Sequence, residues 1–271
     1  SDATGVPVTC DDIECLNAAG TGLPDGTLKF LVRTHQEIGF MIVSGAGNPQ
    51  LVRRAVDNIE AARALAGAAG LAILPPIMTG QVEGRSFAVW KRLPPIEGPR
   101  LGRFLLHLSL GNQVLGWAHE ICGVTARRDE DLQDRYIIPL AAVRDNPAFP
   151  LEMRDAAASG LQHLGEWQPM QCVQHGDFWL GNVLKAADGQ IAVIDCGGAR
   201  IDGYPAVDLT RMLISLGYGR RSRDRHLAQM AAALSCEPRH LVTSVLAAIG
   251  DLGTNLEFFP VELYTKMSVD M

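Results

Sequence analysis

The spacing of polar residues in 174–198, QHGDFWLGNVLKAADGQIAVIDCGG, constrains this chain more than any other feature. It holds His175, Asp177 and Asn182 in one short frame, and it puts Asp195 at the end of the apolar run 191–194. Asp188-Gly189 separates two short apolar runs. That pattern predicts a hairpin, because the favoured two-residue turns need positive φ. A hairpin returns Asp195 to Asn182, with Asp177 just upstream. Two carboxylates and an amide oxygen then share one small volume. Hard cations such as Mg²⁺ take oxygen ligands, so the convergence predicts a divalent-cation and phosphate site.

The preceding chain reads as a small, strand-rich region. Residues 1–26 form an irregular leader with a short helix around 13–18. Strands are expected at 27–33 and 40–44. Asn48 as N-cap and Pro49 at the first helical position then start a helix, whose apolar stripe runs from Leu51 to Leu65. Glycines 67 and 70 end it. A strand at 71–74 and a hairpin of 77–81 with 85–92, turning at Glu83-Gly84, complete the region. Residues 93–99, rich in proline, read as a connector. Beyond them the pattern turns helical: an apolar stripe over 101–121 broken at Gly111, a loop over 123–136, then helices at 150–164, 205–217, 225–234 and 239–249. The expected division is 1–92 and 93–271.

Composition narrows the function. With 47% apolar and 20% charged residues over 271 positions, the chain can bury a substantial core. A net charge of −6 and only short arginine clusters argue against nucleic acid as a partner. No apolar run approaches the ~20 residues of a membrane span. The six cysteines form no C-x-x-C pair and read as reduced thiols. The first ten residues lack a basic n-region and an apolar h-region, so a cytoplasmic protein is expected. P-loop, G-x-S-x-G and H-E-x-x-H motifs are absent from the sequence.

HGDFWLGNVL followed by IAVIDCGGARIDGYPAVDL resembles the core of the aminoglycoside phosphotransferase and choline kinase superfamily, small-molecule kinases with a protein-kinase-like fold. The resemblance spans about residues 172–210. It implies an α+β fold of two lobes, a small β-rich N-lobe for the nucleotide and a larger, mostly helical C-lobe. It implies ATP or another nucleoside triphosphate, Mg²⁺, and a small-molecule substrate bearing a hydroxyl. Asp177 is then the catalytic base, His175 braces its loop, and Asn182 and Asp195 are the metal ligands. Asp208 ties the next helix to that loop. Residues 87–93 resemble the last small-lobe strand, where such kinases bind adenine through backbone groups. Trp90, Lys91 and Leu93 are therefore nucleotide-contacting candidates. Trp179 reads as a packing residue.

The sequence departs from this pattern in one place. The family usually carries a lysine on the strand entering the first helix, where this chain has FMIVS at 40–44. Lys29 and Arg33 on the preceding strand are candidate substitutes, and Glu60 is a candidate partner on the helix. Cys196 stands where an aromatic residue often follows the metal-binding aspartate, a packing change. A kinase-like module that binds nucleotide without transferring phosphate is the alternative. From residue 210 onward carboxylates do not outnumber Lys and Arg. That balance favours a neutral or anionic acceptor, such as a sugar or other polyol, over a polycation.

Overall fold

Two runs rich in β-branched and aromatic residues, 28–33 and 38–43, pair antiparallel along their whole length, Leu28 opposite Val43 and Arg33 opposite Ile38. The computed structural model describes residues 12–16, 27–33, 38–93, 100–186 and 189–252. In it these runs are β2 (Leu28–Arg33) and β3 (Ile38–Val43). With β1 (Ile13–Cys15), β4 (Met78–Val82) and β5 (Arg85–Lys91) they build a sheet ordered β1-β2-β3-β5-β4. The β4–β5 turn is the expected one: Glu83 and Gly84 have φ of 49° and 75°. Both values lie where a two-residue hairpin needs them.

Three local expectations give way to tertiary contacts. Ile13–Cys15 is a strand, not the start of a helix, because it pairs with the open edge of β2; residues 17–18 lie outside the described set. Residues 69–72 form a 3₁₀ turn and not a strand, and only Ile73 bridges Val193, in parallel. The first helix, α1 (Leu51–Ala66), starts later than Asn48-Pro49 suggests. Its free N–H groups are met by serines from the sheet. Ser44 Oγ accepts from Val52 N–H at 2.9 Å, and Ser86 Oγ from Arg53 N–H at 3.1 Å. Asn48 Oδ1 instead accepts from Arg54 at 2.5 Å.

The helical part opens with α2 (Arg100–Thr125), which runs unbroken through Gly111. A Cβ there would meet Leu216 at 3.6 Å, so the glycine sits against a packed neighbour within one helix. The sequence predicts a polar loop over 123–136, but 123–125 finish α2 and residues 127–137 are structured as well. They contain β6 (Arg127–Arg128) and a π turn (Gln133–Ile137), which leads into α3 (Ile138–Asp145). The polarity misleads at one buried pair: Arg135 Nε lies 2.6 Å from the buried Asp129 carboxylate. The remaining elements are α4 (Leu151–His163), β7 (Met170–Gln174), β8 (Val183–Lys185), β9 (Ile191–Val193), β10 (Arg200–Gly203), α5 (Val207–Ser215), α6 (Arg220–Ala233) and α7 (Pro238–Leu252). The last three match the expected helices within a few residues. β10, β7 and β6 form a second sheet, and β8 with β9 a hairpin.

One core of buried side chains from α2, α5 and α7 lies under these small sheets and reaches Ile59 and Ala62 on α1. It therefore joins both parts of the chain. Among the described residues no helix is long and apolar enough to cross a membrane.

Candidate active site

The β8–β9 hairpin brings the predicted oxygen ligands together. Val183 lies opposite Val193, so Asn182 faces Ile194, and the Ile194 N–H donates to the Asn182 carbonyl at 3.0 Å. Asp188 at its tip lies outside the described residues. Asn182 Nδ2 donates to the Asp177 carbonyl at 2.8 Å and to Asp177 Oδ2 at 3.0 Å. Both hydrogen bonds use the amide nitrogen, so Oδ1 remains as the amide's acceptor.

His175 is the brace between the two segments. It is buried, its Nε2–H donates to the Ile194 carbonyl at 2.9 Å, and its Nδ1 accepts the Asp177 N–H at 3.2 Å. These partners fix the tautomer with the proton on Nε2. Phe178 is fully buried against Trp117, with ring centroids 4.9 Å apart. Burial of Phe178 anchors the loop at the residue next to Asp177, which keeps a 35% exposed side chain. Gly176 has φ of 81°, and a Cβ there would lie 2.5 Å from the Gly198 carbonyl oxygen. Only glycine lets the two segments approach this closely.

Asp208 holds the loop from α5. Its carboxylate accepts the His175 N–H at 2.5 Å and the Gly176 N–H at 3.1 Å. Burial nevertheless pushes the carboxyl up from its ordinary value. Asp208→Ala would strand both N–H groups. A loss of about 2–4 kcal/mol is expected, since hydrogen bonds to a charged acceptor are worth ~1.5–3 kcal/mol and a stranded buried donor costs ~1–3. Thermal unfolding followed by circular dichroism checks it, and an unchanged midpoint would contradict the assignment.

Asp195 has φ of 58° and ψ of 48°, the left-handed region that aspartate tolerates better than most residues. It heads the 3₁₀ turn Cys196–Gly198, which α1 holds by a hydrogen bond from Asn58 Nδ2 to the Ala199 carbonyl at 2.8 Å. Cys196 is a buried packing residue, and burial pushes its thiol up. Lys29 Nζ lies 3.8 Å from Asp195 Oδ2, with the two side chains 36% and 42% exposed. An exposed pair this long contributes about 0–1 kcal/mol, so it is easily exchanged for another anion.

A cavity of about 590 Å³ opens between the five-stranded sheet, α1 and the Asp195 turn; Lys29, Trp90, Lys91, Leu93 and Asp195 line it. The other two sequence candidates lie elsewhere. Arg33 pairs with Glu14 at 2.6 Å on the exposed edge of the sheet, and Glu60 is an exposed residue of α1; neither is in the cavity wall. Trp179 packs flat on Gly181, where a Cβ would collide with its ring, yet it remains 45% exposed beside the loop. Arg211 was not anticipated. It reaches Asp177 Oδ1 from α5. The signal was present as D-L-T-R, which puts Arg211 one turn after Asp208 on the same helix face.

Solved structures resemble this arrangement across nearly the whole chain. A macrolide 2′-phosphotransferase from Brachybacterium faecium superposes with a TM-score of 0.58 at 14% identity, covering 98% of this chain and 93% of that one. A putative fructosamine-3-kinase from Haemophilus somnus gives 0.54 at 13% identity, covering 95% and 90%. A choline kinase from Streptococcus pneumoniae gives 0.51 at 11% identity, covering 94% and 91%. At these identities the likeness shows the fold, which is protein-kinase-like and α+β. By sequence, no curated protein matches the chain significantly. The sequence profile of the phosphotransferase enzyme family matches residues 27–242, which include every element of the site, and the chain belongs to that family.

Proposed function

We propose that this protein is an ATP-dependent phosphotransferase that moves the γ-phosphoryl group onto a hydroxyl of a small molecule. The observation that carries the reading is the joint fixing of Asp177, Asn182 and Asp195, with the amide of Asn182 hydrogen-bonded to Asp177 and its backbone to Ile194. Transfer forms one P–O bond to the acceptor oxygen and breaks the bond from the γ-phosphorus to the bridging oxygen, whose electron pair leaves with the diphosphate. The acceptor's proton goes to Asp177. Such a reaction needs positioning and charge neutralisation more than covalent chemistry, so a sparse set of side chains is enough.

Asn182 Oδ1 and the Asp195 carboxylate are the residues that would hold Mg²⁺, which would offset the charge of the triphosphate. The donor set fits: it is all oxygen, and Mg²⁺ takes few protein ligands because it keeps water and phosphate oxygens. Among the described residues, no three His, Cys, Asp or Glu gather as a softer metal would require.

In this reading the nucleotide lies between the small lobe (1–92) and the large lobe (93–271). Arg92 N–H donates to the Ile38 carbonyl at 3.0 Å, while Val89 accepts from Ile77 on the other side at 2.7 Å. By the alternation of a strand, the Lys91 backbone then faces away from β3, beyond the start of β4, where adenine needs a partner. Trp90 and Leu93 flank the base. Lys29 takes the phosphate role of the absent β3 lysine. Lys29→Met is expected to weaken MgATP binding by about 10–100-fold, the worth of a charged contact to phosphate. Calorimetry with MgATP and with adenosine checks this, and equal losses for both ligands would count against it. The thiols of Cys122 and Cys172, 3.5 Å apart, suit a reducing, cytoplasmic setting.

The structural relatives are described as acting on macrolides, fructosamines and choline, so the fold leaves the acceptor open. The test is an ATP-consumption screen over sugars, other hydroxylated metabolites, amino alcohols and antibiotics, with Asp177→Asn as control. Mg²⁺-dependent turnover with one acceptor class supports the reading. MgATP binding without turnover across the panel would instead support a non-catalytic nucleotide-binding module.

A further inference from the structure

We infer that Arg211 is a positioning residue for the base: it fixes the Asp177 carboxylate and balances its charge against the incoming triphosphate. The inference rests on the kinase reading. Helix α5 carries Asp208 and Arg211 one turn apart on one face. Asp208 takes the N–H groups of His175 and Gly176. Arg211 takes the acceptors of the same loop, with Nη1 3.4 Å from the Gly176 carbonyl and Nη2 on Asp177 Oδ1. The guanidinium side chain is only 11% exposed. From the other side Asn182 Nδ2 donates to Oδ2 at 3.0 Å. Each carboxylate oxygen therefore has a protein donor among the described residues, which blocks rotation of the group. Each also keeps lone-pair capacity for an acceptor hydroxyl.

The charge has a purpose of its own. A carboxylate at the point of attack stands beside a phosphoryl group of the same sign, and their repulsion grows as water is excluded. The strand that usually carries a lysine has none here, and Lys29 stands at Asp195 on the other side of the site. Arg211 supplies the positive charge on the Asp177 side. A purely structural staple between α5 and the loop would be redundant, because Asp208 already provides one.

The experiment measures hydrolysis of ATP with water as acceptor, and binding of MgADP by calorimetry. Arg211→Ala is expected to lower the hydrolysis rate by roughly 100-fold, as misplacement of a reacting group does, and to leave MgADP affinity unchanged. Arg211→Lys keeps the charge but loses the fork, so it is expected to fall between wild type and Arg211→Ala. Millimolar guanidinium is expected to restore part of the rate of Arg211→Ala. Arg144→Ala removes an exposed arginine paired with its neighbour Asp145 and controls for net charge.

A wild-type rate in Arg211→Ala overturns the assignment. So does a parallel loss of MgADP binding with no recovery by lysine or guanidinium. If Arg211→Ala does not fold, Arg211→Lys against Arg211→Gln decides: a faster Lys variant supports the assignment, and equal rates overturn it. Wild-type protein that binds MgADP but turns over ATP neither with water nor with any acceptor of the panel overturns the kinase reading, and this assignment falls with it.

Discussion

Asp177→Asn is expected to lower phosphoryl transfer by about 10²–10⁴-fold, the usual worth of a positioned general base, while MgATP binding is retained. The substitution is nearly isosteric. Its amide oxygen still accepts from Asn182 Nδ2, and Phe178 still anchors the loop in the core. The variant should therefore fold, but with a lowered melting temperature, because the nearly buried Arg211 guanidinium loses its charged acceptor at Oδ1. What it loses is the group proposed to take the acceptor's proton. In the proposed reading the nucleotide is held elsewhere, by the cavity wall and Asp195, so its affinity is expected to be retained. Initial rates with the acceptor found in the screen, beside calorimetric MgATP affinity, give the two numbers. Turnover at the wild-type rate would remove Asp177 from the mechanism.

Asp195→Asn is the second large effect. Asparagine tolerates the left-handed backbone at this position as aspartate does, so the substitution changes charge with little added strain. In the proposed reading it removes one anionic oxygen donor to Mg²⁺. Turnover is expected to fall on the order of 10²–10³-fold, the several kcal/mol that cation neutralisation of developing charge supplies. The Mg²⁺ concentration giving half-maximal nucleotide binding is expected to rise, which loss of fold would not produce selectively. Nucleotide binding with an unchanged Mg²⁺ dependence would exclude Asp195 as a metal ligand. The variant also releases Lys29. A weaker effect of Lys29→Met in the Asp195→Asn background than in the wild type would measure the coupling of the two.

Much of the architecture could be read from the sequence because its signals are local. The β4–β5 hairpin followed from Glu83-Gly84, and α5, α6 and α7 followed from helical spacing. The site was legible for the same reason: His175, Asp177 and Asn182 share one loop, and a short hairpin returns Asp195 to them. Failures occurred where a distant partner decided the outcome. Ile13–Cys15 is a strand because β2 offers an edge. Residues 123–136 look like a loop because the sequence shows Asp129 and Arg135 without showing that they pack against each other. Asn48 looked like the cap of α1, yet Ser44 and Ser86 reach that helix from the sheet.

The sequence alone determined the candidate set Asp177, Asn182 and Asp195, because fixed spacing on a loop and a hairpin leaves few ways to arrange them. Only the tertiary structure decided where the positive charge goes. Of Lys29 and Arg33, equally placed by pattern, it set Lys29 at Asp195 and Arg33 at Glu14. It also set Arg211 against Asp177 across a separation of 34 residues. Such pairs depend on how the sheet and α5 pack around the loop, and no local periodicity records that packing.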